Sequence, residues 1–189
     1  MKEEKKLVPV AMSQGRFQPY TLGHLKLAQK AWKDRKLKTV LFIINTPENK
    51  RDKKHPFSTD SLLDMYHRLI KDSDLLVDIL VTQSADIVKN AELAREHGYE
   101  LHAWCCGTDR KDGFTRMADH YHDKASLPDD FEVLEVPRTD ADISATAARQ
   151  CLLDGDVKGF KAITPEAVGK EFFRLKKLIE EVVPKEQTE

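Results

Sequence analysis

The sequence predicts an α/β fold: an open, parallel, five-stranded sheet with helices on both faces and a C-terminal helical extension. Three observations lead there. Short β-branched runs alternate with amphipathic stretches, the pattern that builds parallel sheets through helical crossovers. One of those runs, Thr39 to Asn45 (TVLFIIN), is apolar throughout, as a strand covered on both faces would be. Three unusual segments, 15–24, 107–109 and 138–149, fall at the carboxyl ends of predicted strands, where open parallel sheets keep their ligands.

Leu7 to Met12 (LVPVAM) is the first strand, broken by Ser13-Gln14-Gly15. Leu22, Leu25, Ala28 and Trp32 recur at helical spacing, so a helix runs from Leu22 to Arg35. After the strand Thr39 to Asn45 comes a loop, Pro47 to Pro56, carrying Lys50, Arg51, Lys53 and Lys54. Ser58-Thr59-Asp60 can cap the next helix, whose apolar face is Leu62, Leu63, Tyr66, Leu69 and Ile70. Val77 to Val81 is the third strand and Asp86 to His97 the following helix, with Gly98 placed to end it.

Leu101 to Cys106 (LHAWCC) and Phe131 to Val136 (FEVLEV) complete the strands. Between them Lys111 to Pro128 is polar, with a short helix expected around Thr115 to His122. From Ser144 the chain is helical, broken at Gly155, and a last amphipathic helix is expected from Pro165 to Val183 with Pro165 in its first turn. Nothing reads as a repeat or a Gly/Ser linker, so residues 1–189 are expected to form a single domain. Its C-terminal helices, about 144–183, would pack on the domain or on a partner subunit of a homo-oligomer.

A formal net charge of −1 gives no global positive field to recruit nucleic acid or an anionic membrane. Any phosphate binding must therefore be local. No apolar run approaches bilayer length, and Met1 to Lys6 lacks the apolar core of a signal peptide. The three cysteines, Cys105, Cys106 and Cys151, are odd in number and partly adjacent, which argues against a disulfide framework or a zinc spacing. A reducing cytoplasm is the expected location. His120 and His122 sit two apart and diverge on a helix, so no metal site is expected there. Trp32 and Trp104 are expected in the core, and Cys105 and Cys106 to be inert.

The chemistry-bearing residues converge on the strand ends. Gly15 permits a turn denied to other residues, and Gly23 lets the chain approach a phosphate closely at a helix N-terminus. The helix amides, the Thr21 hydroxyl and the His24 imidazole would then share one anion-sized space. Ser144 and Thr146 can cap a helix and offer hydroxyls to a phosphate, with Arg149 about one turn along.

The run Gly15-Arg16-Phe17-Gln18-Pro19-Tyr20-Thr21-Leu22-Gly23-His24 closely resembles the (H/T)xGH signature of the nucleotidyltransferase superfamily. Ile143-Ser144-Ala145-Thr146-Ala147-Ala148-Arg149 resembles its ISxTxxR motif. Both, in the right order in a chain of this length, are a specific signal. Gly15 to Pro19 looks most like the archaeal-type nicotinamide mononucleotide adenylyltransferases, as does His55-Pro56-Phe57-Ser58, which is similar to their NPFT-type segment. Thr21 stands where those enzymes usually carry a first histidine, and phosphopantetheine adenylyltransferases have Thr there. Gly107-Thr108-Asp109-Arg110 is similar to the G-x-D segment of the nucleotide pocket, and Asp154 to Val168 to the usual C-terminal run. Arg138-Thr139 resembles part of the RTxGIST motif of glycerol-phosphate-type cytidylyltransferases, but Asp140-Ala141-Asp142 breaks that pattern.

The resemblance implies a Rossmann-like fold and in-line attack of an acceptor's phosphate oxygen on the α-phosphorus of ATP, with Mg²⁺ held mostly by substrate and water. It implies that His24 donates to the α-phosphate, that Thr21 holds an adjacent oxygen, and that Arg149 meets the outer phosphates. Arg16 and one of Lys50, Lys53 or Lys54 would grip acceptor or triphosphate. Gly15, Phe17, Gln18, Gly23, Gly107, Asp109, Ile143, Ser144 and Thr146 would complete the nucleotide site, and Phe114 could stack on a ring. Nicotinamide mononucleotide is the expected acceptor, which would place the chain in NAD biosynthesis. Two rivals stay open: a cytidylyltransferase acting on a polyol or amino-alcohol phosphate, and a non-catalytic nucleotide sensor. A class I aminoacyl-tRNA synthetase is set aside, since the chain is too short and lacks a KMSKS-like loop and a basic surface for tRNA.

Overall fold

A computed structural model describes residues 4–137 and 143–184, which fall into two compact units. The first, the sheet unit, runs to Gly15, from Lys26 to Ile44, and from Asp74 through the last strand. Its strands are β1 (Val8–Gly15), β2 (Thr39–Ile44), β3 (Leu76–Thr82), β4 (Tyr99–Gly107) and β5 (Glu132–Val136). They form one sheet in the order β3-β2-β1-β4-β5, and every neighbouring pair is parallel. The order reverses direction between β1 and β4, the position at which open α/β sheets leave a crevice.

Side chains leave a strand to alternate faces, and the core divides accordingly. Val10, Met12, Phe42 and Trp104 pack with Ile87, Val88 and Ala91 of α3 (Ile87–Glu96) and with Ala118 of α4 (Thr108–Tyr121). Ala11, Ala103, Cys105 and Leu134 pack with Ala31 of α1 (Leu22–Arg35) on the other face. Helices thus cover both faces, and each buried Val, Ile, Leu or Phe side chain contributes about 1.5–3 kcal/mol. Burial also raises the Cys105 thiol to about 12 and the Cys106 thiol to about 11, so both stay protonated and unreactive at neutral pH.

The second unit comprises Arg16–Leu25, Asn45–Ser73 and the chain from Ile143 to Pro184. It contains α2 (Thr59–Asp72), α5 (Ala145–Asp154), α6 (Val157–Ile163), α7 (Glu166–Gly169) and α8 (Phe172–Val182). α2 packs on α7, and α5 on both α6 and α8, with Phe160 edge-on to Phe172 at 5.4 Å between ring centres. Ser58 Oγ accepts from the Ser61 amide and Ser144 Oγ from the Ala147 amide, satisfying helix-start donors as their positions predict. Gly155, at φ +71°, takes the left-handed conformation that ends α5.

Three expectations need correction. The chain from Pro165 to Val183 is not one helix but α7 and α8, with Pro165 as the cap residue just before the first. Gly169 is the last residue of α7, close enough to Lys161 and Thr164 that a Cβ there would meet each at 3.3 Å, and glycine weakens a helix by about 1 kcal/mol. α4 starts at Thr108 directly after β4 and is longer than the short helix expected at 115–122. Its apolar stripe is only Phe114, Met117 and Ala118, so a polar sequence hides a helix with a narrow buried face. Trp32 is 39% exposed, with the Lys36 ammonium 5.3 Å over its ring, because the small Ala28 and Ala31 take the buried side of α1. Among the described residues no helix is long and apolar enough to cross a membrane.

Candidate active site

The loop from Arg16 to Thr21 follows β1 and leads into α1. Gly15 closes the strand itself, and the left-handed backbone falls on Phe17 instead, at φ +48°, a conformation that costs a bulky residue of order 1–3 kcal/mol. Two residues hold it there. The Tyr66 hydroxyl donates to the Phe17 carbonyl and accepts from the Tyr20 amide at 2.9 Å. Burial pushes the Tyr66 phenol far up, which keeps its donor proton in place. The Gln18 side chain donates to the Phe57 carbonyl at 2.8 Å and accepts from the Phe57 amide at 2.9 Å. The Gln18–Pro19 peptide is cis.

His24 sits in the first turn of α1. Its Nδ1 accepts the Thr21 amide at 2.9 Å, and the Thr21 hydroxyl lies 3.3 Å from the same nitrogen. An Nδ1 that accepts an N–H carries no proton, so the neutral ring bears its proton on Nε2. Phe17 meets the imidazole edge-on at 5.0 Å and Tyr20 leans over it at 5.2 Å, which fixes the ring plane. Thr21 itself is 1% exposed. The structure therefore puts its hydroxyl against His24, in a position to orient the imidazole.

Arg149 projects from α5 and is tied back to the first motif. Its guanidinium donates to the Gln18 carbonyl at 2.8 Å and to the Thr146 hydroxyl at 3.3 Å. Burial pulls its pKa down, with Asp52 opposing, so its positive charge is imperfectly solvated. Arg16 donates to the Asn45 carbonyl at 2.8 Å and the Thr46 hydroxyl at 3.1 Å. The basic loop is anchored by Arg51, which donates to the carbonyls of Pro56 and Leu178 and to the carboxylates of Glu48 and Glu181. Asp52 Oδ1 accepts the amides of Lys54 at 2.9 Å and His55 at 2.7 Å, closing the turn that presents them.

These elements enclose a cleft of about 650 Å³ within the second unit. It is lined by the expected Arg16, Phe17, Gln18 and His24, by Lys53 and Lys54, and by Thr146 and Arg149. His55, Ala145, Gln150, Leu153 and Ile179 join them, and no carboxylate is among the lining residues. Gln150 and Leu153 follow Thr146 and Arg149 at helical spacing, so the periodicity of α5 could have placed them. His55 gave no such signal, because its contribution depends on the Asp52 turn.

Other predicted residues serve behind the cleft wall or elsewhere. Gly23 approaches the Ile143 backbone closely, and Ser144 spends its hydroxyl on the α5 cap. Lys50, in a short 3₁₀ turn, is not among the lining residues. Gly15, Gly107, Asp109 and Phe114 belong to the sheet unit, where Gly107 precedes α4, Asp109 lies in its first turn, and Phe114 stacks on Trp104 at 3.9 Å. The segment 138–142, with the Arg138-Thr139 pair, lies outside the described residues. Among the described residues no group of three or more His, Cys, Asp or Glu side chains could hold a metal ion.

The family model described as cytidylyltransferase-like matches residues 12–151. No protein of curated function matches the chain. Among solved structures, the nicotinic acid mononucleotide adenylyltransferase of Plasmodium falciparum superposes with a TM-score of 0.58 at 12% identity, covering 92% of this chain and 98% of that one. A bifunctional NMN adenylyltransferase/ADP ribose pyrophosphatase from Francisella tularensis, complexed with AMP and a manganese ion, gives 0.57 at 18% identity and covers 94% of this chain. Thermotoga maritima TmcAL, bound with alpha-thio ATP, gives 0.57 at 11% identity and covers 88%. The chain spans only 52% and 56% of the length of these last two proteins, respectively. At such identities the likeness is one of fold.

Proposed function

The chain belongs to the cytidylyltransferase-like family of the HxGH nucleotidyltransferase superfamily, and on that premise we propose that it transfers the adenylyl group of ATP to a phosphorylated small molecule, foremost nicotinamide mononucleotide, releasing pyrophosphate. One observation carries the reading: four cationic side chains, Arg16, Lys53, Lys54 and Arg149, share a carboxylate-free cleft with His24. Such a cleft suits a polyphosphate, and the fixed imidazole is a donor for the oxygen on which charge builds.

A phosphate oxygen of the acceptor attacks the α-phosphorus from the side opposite the bridge to the β-phosphate. The new O–P bond forms as that bridge breaks, and pyrophosphate carries off the bonding electrons. No protein nucleophile is needed, so catalysis rests on placement and charge stabilisation. His24 donates Nε2–H to an α-phosphate oxygen, and Thr21 keeps that tautomer and ring angle. Arg149 takes the β,γ end, while Arg16 and the loop lysines hold the remaining phosphates. None of the lining residues is a carboxylate that would hold a magnesium ion, so the ion would enter with the nucleotide. When bound, Mg²⁺ supplies neutralisation of the phosphate charge.

The two mononucleotide adenylyltransferases among the structural relatives support the choice of ATP and a mononucleotide. The family description favours one second reading, cytidylyl transfer to a polyol or amino-alcohol phosphate. Pyrophosphate release, measured with ATP or CTP against a panel of phosphorylated acceptors, separates them. Release with ATP and nicotinamide mononucleotide supports the first reading, and release only with CTP replaces it. Nucleotide binding without release from any pair would instead make the chain a sensor.

A further inference from the structure

His55 stands in the cleft wall among fixed positive charges, and its imidazole can change its charge near neutral pH. Its side chain is 38% exposed, within reach of a ligand, and its backbone is held by the Asp52 turn. Next to that turn Arg51, only 7% exposed in its side chain, ties the loop to α8 and to the Pro56 carbonyl. We propose that His55 is a ligand of the nucleotide's phosphates that takes up a proton as they arrive, so that nucleotide binding by this chain is proton-linked. The inference rests on the nucleotidyltransferase reading of the cleft.

The reasoning is electrostatic. In the empty cleft a protonated His55 would add a further charge beside Arg16 from the loop after β1, Arg149 from α5, and Lys53 and Lys54 from its own loop. Burial first, and then the charge of Arg16, holds the imidazole below the ordinary histidine value, with Arg149 and Lys54 acting in the same sense. Asp52 opposes them, with its Oδ1 at 3.5 Å from Nδ1, but that oxygen already accepts two backbone amides. α8 contributes the apolar Ile179 to the lining, and α1 contributes His24.

A triphosphate reverses the local field, and an imidazolium gains a second N–H donor for its oxygens. The proton comes from the solvent and no covalent bond changes. The empty protein thus avoids a charge that the complex uses. Because the free form is the poorer proton binder, affinity falls as pH rises through the range of the bound form. The fall is about tenfold for each unit by which the phosphates raise the imidazole.

Calorimetric titration of the full chain with α,β-methylene-ATP and Mg²⁺, without acceptor, tests this at pH 7 in two buffers of different ionisation enthalpy. The native protein should take up a large fraction of one proton per nucleotide, and His55→Asn close to none more than the nucleotide itself requires. Between pH 6 and 8 the native affinity should fall more steeply than that of the variant. If the variant does not fold, the ring-proton NMR titration of His55 in the native protein decides, since its midpoint should rise on nucleotide binding. Binding with equal heats in both buffers, undiminished uptake in His55→Asn, or an unmoved midpoint each overturns the inference and leaves the nucleotide site standing. No binding by the native protein overturns the reading of the cleft as well.

Discussion

The Ile143 carbonyl stands where a side chain at position 23 would begin: a Cβ on Gly23 would lie 3.1 Å from that oxygen and 3.4 Å from the Thr21 hydroxyl. The two sequence motifs therefore meet through backbone, at a point where a Cβ would be tighter than ordinary contact. Because the obstacle is a carbonyl and not a pliable side chain, Gly23→Ala should displace either the start of α1 or the entry to α5. We expect kcat/KM for pyrophosphate release to fall about tenfold or more, since small misplacements of a reacting constellation are costly. Stability should fall by about 1–3 kcal/mol in denaturant melts, as overpacking does. A variant with unchanged kcat/KM would show that the close approach has no bearing on the chemistry.

In the proposed mechanism, His24→Ala removes the donor to the reacting phosphate. Turnover should drop about a hundredfold or more while triphosphate binding remains measurable. Thr21→Val is the instructive companion, because it deletes the hydroxyl but keeps the backbone N–H that holds Nδ1. Its loss should stay within about tenfold, as one neutral hydrogen bond contributes about 0.5–1.5 kcal/mol. Near-native turnover in His24→Ala would remove His24 from the mechanism.

Arg149→Ala should act mainly on affinity. The guanidinium is held in the cleft wall by Gln18 and Thr146, where the proposed mechanism has it meet the outer phosphates. Loss of a charge-assisted contact of about 1.5–3 kcal/mol corresponds to about tenfold or more in triphosphate Kd. Arg149→Lys should recover only part of this, because an ammonium lacks the planar fork. An unaltered Kd would reduce Arg149 to a brace for the Gln18 carbonyl.

Tyr66→Phe tests how the loop is supported. The substitution leaves the Phe17 carbonyl and the Tyr20 amide, both in buried residues, without the hydroxyl that bridges them. Each group so stranded costs about 1–3 kcal/mol. A denaturant midpoint equal to that of the native protein would mean that another partner takes the place of the hydroxyl. If the strained Phe17 backbone relaxes as a result, kcat should fall along with stability.

Periodicity and composition carried most of the fold. The apolar interior of TVLFIIN pointed to a strand covered on both faces, and the Ser58, Gly98 and Gly155 punctuation marked helix ends that the structure keeps. α4 was obscured because its buried face is three residues wide. The α7–α8 break was obscured because apolar residues continue at helical spacing on both sides of it, and Gly169 is a weak stop signal inside such a pattern. At the site, residue types at fixed spacing pointed to Arg16, His24 and Arg149. They did not reveal that Thr21 faces His24, that the unusual backbone belongs to Phe17, or that His55 enters the cleft, since the last two depend on the Tyr66 hydroxyl, which donates to the Phe17 carbonyl, and on the Asp52 carboxylate, which accepts the His55 amide.

A wall of like charges works against its own fold until something anionic fills it. By mass action, any polyanion that the cleft admits becomes a stabiliser of the native state, by RT ln(1 + [L]/Kd). The melting temperature of this chain is then a property of its buffer as much as of its sequence, higher in pyrophosphate than in chloride. The same pull acts on the departing half of the nucleotide. On the proposed reading, Arg149 and the loop lysines would hold pyrophosphate as they hold the triphosphate, and their charge would then slow product release and not bond breaking.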